Sequence, residues 1–352
     1  MKRASDRASR LLVVALAGCS AEESVPSRAE QVRFPSTDLE LEGTLLLPAQ
    51  TNDQRLPAVV LGHGSGPIDR DETIAGQLGM GFGFSIRVLG ELAEALAAAG
   101  YVVLRYDKRS CTRLTGCQND YPLTSGSGVV DDYVSDVKAG LDWLQTRAEV
   151  DGARLFYVGH SQGAQFAPEL LASRGELRAA VMLAGPHSSV DELLRGQAEL
   201  LGELTQQLGV PADRPELLAL SQGVLELAQL RAGSFTGSTI LGDTPAHWQS
   251  WMELGDRARL LVSELERPLL ALSGDYDWNV PPRETEAWRE SFAALASDPG
   301  HEALLLPCVS HALNCIREPD LLLLGEDDLG RHIDPAVPAE IVRFLAAHGG
   351  AG

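Results

Sequence analysis

Hydrophobic residues fall into two spacings along this chain, and their alternation lays out the fold. From Gln31, QVRFPSTDLELEGTLLLP alternates apolar and polar positions in its middle and turns at Ser36-Thr37-Asp38, which predicts two antiparallel strands. LPAVVLGHGSGP is instead a continuous apolar run ending in glycines, the pattern of a strand buried on both faces that feeds a loop. FSIRVLGELAEALAAAG has helical spacing and stops at Gly100. The rhythm then repeats, with YVVLRYD, RLFYVGHS and LRAAVMLAG as strands and VVDDYVSDVKAGLDWLQTR and QGAQFAPELLASR as helices. RPLLALSGD and HEALLLP add two strands separated by the helical RETEAWRESFAALA, and PAEIVRFLAAH closes as a helix. Strand followed by helix, repeated, implies an α/β class fold: a mostly parallel central sheet with helices on both faces.

One interval breaks the rhythm. Between Gly185 and Pro268 no strand is legible, while SVDELLRGQAELLGELTQQLG and PELLALSQGVLELAQLRAG are strongly helical and AHWQSWMEL adds Trp248 and Trp251. This predicts a helical insertion, about 187–265, over the carboxyl ends of the strands, where open α/β sheets bind ligands. A moving lid and a plain cover both fit the pattern.

The first residues carry a different signal. MKRASDRASR is a basic head, LLVVALAG is a short apolar run, and Cys19 follows. That order reads as a secretory signal, and the run falls well short of the about 20 apolar residues a spanning helix needs. Leu16-Ala17-Gly18-Cys19 resembles a bacterial lipobox. The resemblance implies a signal peptide at 1–18, lipidation of Cys19 and a tether over 19–30, which leaves 31–352 as the folded domain. It places the protein in the cell envelope, on the periplasmic side or the cell surface. An ordinary signal peptide with a chance cysteine is the alternative. Composition adds one exclusion: the formal net charge of −20 lacks the basic footprint of nucleic-acid binding and opposes electrostatic docking on anionic lipid. Membrane contact is expected only through the lipid, and no protein partner is predicted.

The chemistry concentrates in YVGHSQGA. Gly159-His160-Ser161-Gln162-Gly163 fits G-x-S-x-G between a predicted strand and a predicted helix, the setting that motif requires. A tight strand-to-helix turn lifts the serine clear of the sheet, and only small residues fit two places either side. A serine hydroxyl needs a base to take its proton, and the base needs an orienting partner. LSGDYDWNVPP offers Asp275 and Asp277, and LPCVSHALNC offers His311, both where loops leave strand ends.

On the stretches LPAVVLGHGSGPIDRDET, VVLRYDKR, VGHSQGA, PLLALSGDYDWNVPP and the histidine loop, the chain resembles an α/β-hydrolase from about Gln31 to its end. The similarity is to a carboxylesterase-like branch related to serine aminopeptidases and acyl-thioesterase-type hydrolases. Gly274, Asp277, Val280 and Pro281 match that family's G-x-x-D-x-x-V-P, which selects Asp277 over Asp275, and His311 matches the family's histidine. The resemblance further implies an oxyanion hole from the amides of Ser65 and Gln162. His63 and His160 read as structural, and Asp69 to Glu72 and Arg105 to Arg109 mainly as a salt-bridged scaffold near the site, with direct binding of a charged substrate end as the alternative. The implied function is hydrolysis of small-molecule carboxylic esters through an acyl-enzyme, with no cofactor and no metal. An aminopeptidase or amidase, an acyl-thioesterase and a non-catalytic surface lipoprotein of the same fold are the alternatives; Glu192 and Glu199 would be clamps for a peptidase substrate's amine.

With Cys19 assigned to lipid, four cysteines remain, and an even number in an exported protein favours disulfides. Local pairing, Cys111 with Cys117 and Cys308 with Cys315, is the preferred connectivity. Cross-pairing of the two loops is the alternative.

Overall fold

The computed structural model describes residues 27–49, 54–75, 85–122, 129–208, 213–318 and 328–350. The lipobox and Cys19 lie outside them. The chain opens with an antiparallel pair, β1 (Arg28–Pro35) and β2 (Glu40–Leu47), then β3 (Leu56–Gly62). A small hairpin, β4 (Thr73–Ala75) with β5 (Ser85–Arg87), precedes α1 (Val88–Ala98) and β6 (Val102–Tyr106). Next come α2 (Val130–Gln145), β7 (Val150–His160), a 3₁₀ helix at Ser161–Phe166, α3 (Ala167–Ser173) and β8 (Leu177–Leu183). Three helices follow, α4 (Val190–Leu208), α5 (Pro215–Arg231) and α6 (Pro245–Leu261). The chain closes through β9 (Leu269–Gly274), α7 (Pro282–Ala293), β10 (Glu302–Leu306) and α8 (Ala336–His348).

Among the described residues, eight strands form one sheet in the order β1-β2-β6-β3-β7-β8-β9-β10. Within this sheet β1–β2 and β2–β6 are antiparallel, and the remaining pairs are parallel. The continuous apolar runs explain this burial. Side chains alternate across a strand, so Val60, Leu104, Tyr157 and Met182 enter the core on the face of α2 and α3. Val59, Leu61, Val103, Phe156, Val158 and Val181 enter the core on the face of α1 and α8. Both faces are covered, as a parallel sheet requires.

Three segments differ from the sequence reading. β1 begins at Arg28, so the last residues assigned to the tether pair with Leu45–Leu47 of β2. Ser85–Arg87, read as the start of a helix, extend instead as β5 against Thr73–Ala75, because the hairpin supplies backbone partners before the helix starts. Ser161–Phe166 wind as a 3₁₀ helix before α3 begins at Ala167. Pro168, in the first turn of α3, has no N–H to carry an α-helical bond backward.

The insertion predicted for about 187–265 is the helical trio α4, α5 and α6. α6 starts at a Thr244 cap whose hydroxyl accepts the His247 N–H at 3.2 Å. It is not a free flap. Trp251 Nε1 donates to Gln165 Oε1 at 2.8 Å, Ser250 Oγ accepts the Val130 N–H at 2.9 Å, and Trp248, Met252, Leu254 and Ala258 join the main core. No helix among the described residues is long and apolar enough to cross a membrane.

Candidate active site

Ser161 sits where β7 ends and its helix begins, with φ +52. A non-glycine residue in the left-handed region is strained, and such strain persists where surrounding structure over-determines it. Here the surroundings do. A Cβ on Gly159 would meet the Gly163 carbonyl oxygen at 2.3 Å, and one on Gly163 would meet the His63 carbonyl oxygen at 2.6 Å. Only hydrogen fits at either position, which is the physical content of the spacing read from the sequence.

His311 arrives on the loop after β10. The Ser161 hydroxyl donates to His311 Nε2 at 3.1 Å, and His311 Nδ1 donates to Asp277 Oδ2 at 2.9 Å. The carboxylate can only accept, so it fixes which ring nitrogen carries the hydrogen. Asp277 is 1% exposed, and its other oxygen accepts the Val280 N–H at 2.8 Å. Asp275 turns away and accepts the Cys308 N–H at 2.7 Å. A serine hydroxyl bonded to an imidazole that is bonded to a buried carboxylate can be deprotonated as it attacks a carbonyl.

The His311 loop is closed on itself. Cys308 is disulfide-bonded to Cys315 and Cys111 to Cys117, with sequence separations of 7 and 6. Cys308 and Leu313 have φ +60 and +61, and the Ser310 and Asn314 side chains bond each other across the loop. Ligand atoms of Cys308, Cys315 and Asp334 lie within 4.8 Å of one another. Joined as a disulfide, the two sulfurs are not the thiolates a metal requires, so this trio offers a metal nothing unless it is reduced.

Ser65 lies exposed in the loop after β3, and Gln162 is buried beside Ser161. Among the described residues, the Ser65 amide makes no backbone hydrogen bond. The two segments meet directly: the Gly163 N–H donates to the His63 carbonyl at 2.9 Å.

A buried ion pair stands behind this arrangement. His160 Nδ1 lies 2.8 Å from Glu72 Oε1, and His160 Nε2 lies 2.9 Å from the His311 carbonyl. Both partners only accept, so both ring nitrogens donate and the ring is an imidazolium. Burial alone would lower the His160 pKa, but the charge and hydrogen bond of Glu72 outweigh it and raise it. Burial would likewise raise Glu72, and His160 brings it below its usual range. Glu72 also accepts the Gly64 N–H at 3.1 Å. The pair therefore ties the His311 backbone to the loop that carries Ser65. Glu72 itself has φ +49, another strained residue at the site.

The neighbouring acids and bases form pairs as well. Asp107 accepts from Arg70 Nε and Nη2 at 2.9 and 2.7 Å, Asp136 accepts from Arg109 Nη2 and Nε at 2.6 and 2.8 Å, and Asp71 lies 2.7 Å from Arg105. Burial would raise the Asp107 carboxyl, but Arg70 lowers it; at Asp136 burial prevails over Arg109 and the pKa rises. His63 donates to the Tyr106 carbonyl, and its burial lowers its pKa to about 4, so it is neutral. Sequence reasoning missed two contributors here. Nothing in GHS marks His160 as charged, because its partner lies 88 positions away. Lys108, read mainly as scaffold, is tied to the residue after the serine, where its Nζ donates to the Gln162 side chain at 2.7 Å.

A family model described as serine aminopeptidase, S33, matches residues 78–320. The esterase EstD of Thermotoga maritima is 28% identical over 270 residues, 76% of this chain and 58% of the relative. The chain thus spans less than two thirds of that relative's length. Est1E of Butyrivibrio proteoclasticus, solved with ferulic acid bound, aligns with a TM-score of 0.56 at 14% identity over 90% of this chain and 98% of its own. The Pyrococcus horikoshii acylaminoacyl peptidase aligns with a TM-score of 0.51 at 16% identity over 81% of this chain and 38% of its own. At such identities these two alignments speak to the shared fold alone.

Proposed function

The chain belongs to the serine aminopeptidase, S33, family of α/β hydrolases, and from that premise we propose that it is a serine esterase acting on carboxylic esters of small acyl groups. The observation that carries this reading is the unbroken hydrogen-bonded chain from Ser161 through His311 to buried Asp277. Ser161 Oγ attacks the ester carbonyl as its proton passes to His311 Nε2. Asp277 holds the opposite N–H and stabilises the imidazolium that forms. The amides of Ser65 and Gln162 donate to the oxyanion, an interaction worth about 10²–10³ in rate per donor. His311 then protonates the leaving alcohol, and water repeats the sequence to release the acid.

Support for an ester over a peptide with a free amine comes from the insertion. Glu192 accepts from the Ser189 N–H, the Ser189 hydroxyl and Arg259 at 3.1, 3.0 and 2.8 Å, and Glu199 is exposed beside Arg195. Neither carboxylate is held ready for a substrate's ammonium. The relative EstD is named an esterase, and the net charge of −20 opposes a polyanionic thioester such as a coenzyme A conjugate.

The test is a panel of p-nitrophenyl esters, aminoacyl amides and thioesters, run beside a fluorophosphonate probe. Wild-type protein should label and prefer short esters, and Ser161→Ala should do neither. Faster amide turnover would move the reading to a peptidase, and an unlabelled wild type would make the protein a non-catalytic binder. We also propose that Cys19 is lipidated on the exported side of a membrane, supported by Leu16-Ala17-Gly18-Cys19. Unchanged membrane fractionation of Cys19→Ala would refute that.

A further inference from the structure

Lys108 follows β6 in RYDKR and is 3% exposed. An ammonium removed from water is costly unless it is bonded, and the usual partner is a carboxylate. Lys108 is bonded differently. Its Nζ donates to the Gly64 carbonyl at 2.6 Å and to Gln162 Oε1 at 2.7 Å, and it stands 4.5 Å from the centroid of the Tyr133 ring. Both acceptors belong to the two segments assigned above to the oxyanion hole. The Gly64 carbonyl and the Ser65 N–H are opposite ends of one peptide unit. The Gly64 N–H, on the preceding peptide unit, donates to Glu72. Gly64 is therefore clamped by a carboxylate on one side and an ammonium on the other. A Cβ there would come within 2.6 Å of Glu72 Oε1, so a side chain at this position would have to displace the carboxylate from the clamp.

We propose that Lys108 is a positioning residue for the oxyanion hole: its ammonium joins the Gly64–Ser65 peptide to the Gln162 side chain and polarises that peptide, aiming and strengthening the Ser65 N–H as a donor. The proposal rests on the serine-esterase reading. A hydrogen bond to a carbonyl draws electron density from its amide and makes the N–H at the other end a better donor, and such chains reinforce one another in a dry interior. The gain is greatest when full negative charge sits on the oxyanion, so it acts on the transition state more than on bound substrate. Burial pulls the ammonium down to about 7 against the opposing charges of Glu72, Asp243 and Asp136. Without its third proton the amine still has an N–H for each acceptor, so aiming survives and the charge is lost.

The experiment compares Lys108→Met, which keeps the length without a donor, with wild type. Three quantities are read: kcat and KM for a short p-nitrophenyl ester, affinity for a trifluoromethyl ketone, and affinity for the matching neutral amide. The ketone becomes a tetrahedral oxyanion on Ser161, and the amide does not. Loss of a fraction of one donor's contribution predicts a fall in kcat of about 10–10²-fold with KM little changed. Ketone affinity should fall by the same factor, and amide affinity should hold. Equal weakening of ketone and amide, as a purely structural role would give, overturns the proposal, as does an unchanged kcat. If Lys108→Met does not fold, Lys108→Gln keeps N–H donors without the charge and is held to the same correlation. Wild type that neither hydrolyses esters nor binds the ketone sinks the esterase reading and this proposal together. Active wild type beside an unaltered lysine variant sinks this proposal alone.

Discussion

Two regions are rich in charge and use it in opposite ways. In the body of the fold, Glu72, Asp107, Lys108, Arg109, Asp136 and His160 are all buried, and each is bonded to a particular partner or backbone group. In the insertion, Asp191 and Asp256 share Arg231, and Asp256 and Glu192 share Arg259, with side chains from 11% to 40% exposed. Water screens the second network and leaves its geometry adjustable. Burial denies the first any alternative partner, so each bond there fixes a loop. The same residue types thus hold the site rigid in one region and decorate half-open helices in the other.

The hardest trial of that contrast is at the triad. Asp277→Asn keeps the shape but favours the wrong imidazole tautomer, so kcat should fall on the order of 10⁴-fold, whereas Glu192→Gln in the insertion should leave kcat near wild type; ester assays on both decide it. Next comes Glu72→Leu, which strands the His160 imidazolium and the Gly64 N–H. Breaking a buried pair costs about 3–5 kcal/mol, and urea unfolding should show a loss of that size. A loss under about 1 kcal/mol would mean this pair behaves like the surface ones.

A third prediction concerns pH. His63 is neutral in the fold, with a pKa lowered from 6.5 to about 4. Below 6.5 the unfolded chain takes up a proton that the folded chain refuses. Stability from this group is therefore complete above pH 6.5 and declines, by up to roughly 3 kcal/mol, as pH falls to about 4. The wild-type decline in thermal midpoint over that window should flatten in His63→Phe; parallel curves would refute it. A smaller effect is expected from reducing the Cys308–Cys315 ring, about 2.5 kcal/mol by loop entropy, read as a lower thermal midpoint in reductant. A chelator should change nothing, and loss of activity to chelator instead would point to a metal. Smallest of all, Arg231→Met should cost less than about 1 kcal/mol although it touches two aspartates.

The strands were legible because their apolar runs have one interpretation in a parallel sheet, and β6, β8, β9 and β10 fall within the runs that predicted them. The hairpin β4–β5 was not, since Thr73–Ala75 and Ser85–Arg87 are three-residue strands whose only periodic signal belongs to the helix that follows. Around the site, Gly159, Ser161 and Gly163 were legible because the turn is local and its steric demand falls on neighbours in sequence. Asp277 and His311 were reached through a resemblance, and the structure brings them into one hydrogen-bonded chain with Ser161.

What the sequence alone determined is whatever short-range physics dictates: alternating strand and helix, a glycine-flanked serine in a tight turn, and acids and histidines at strand ends. What the tertiary structure decided is which charges are buried, and therefore which of them act. Glu72 meets His160 across 88 positions, Lys108 meets Gln162 across 54, and Trp251 of the insertion meets Gln165 across 86. Such partners leave no periodic trace, because burial depends on what the whole chain places around a side chain and not on its neighbours in sequence.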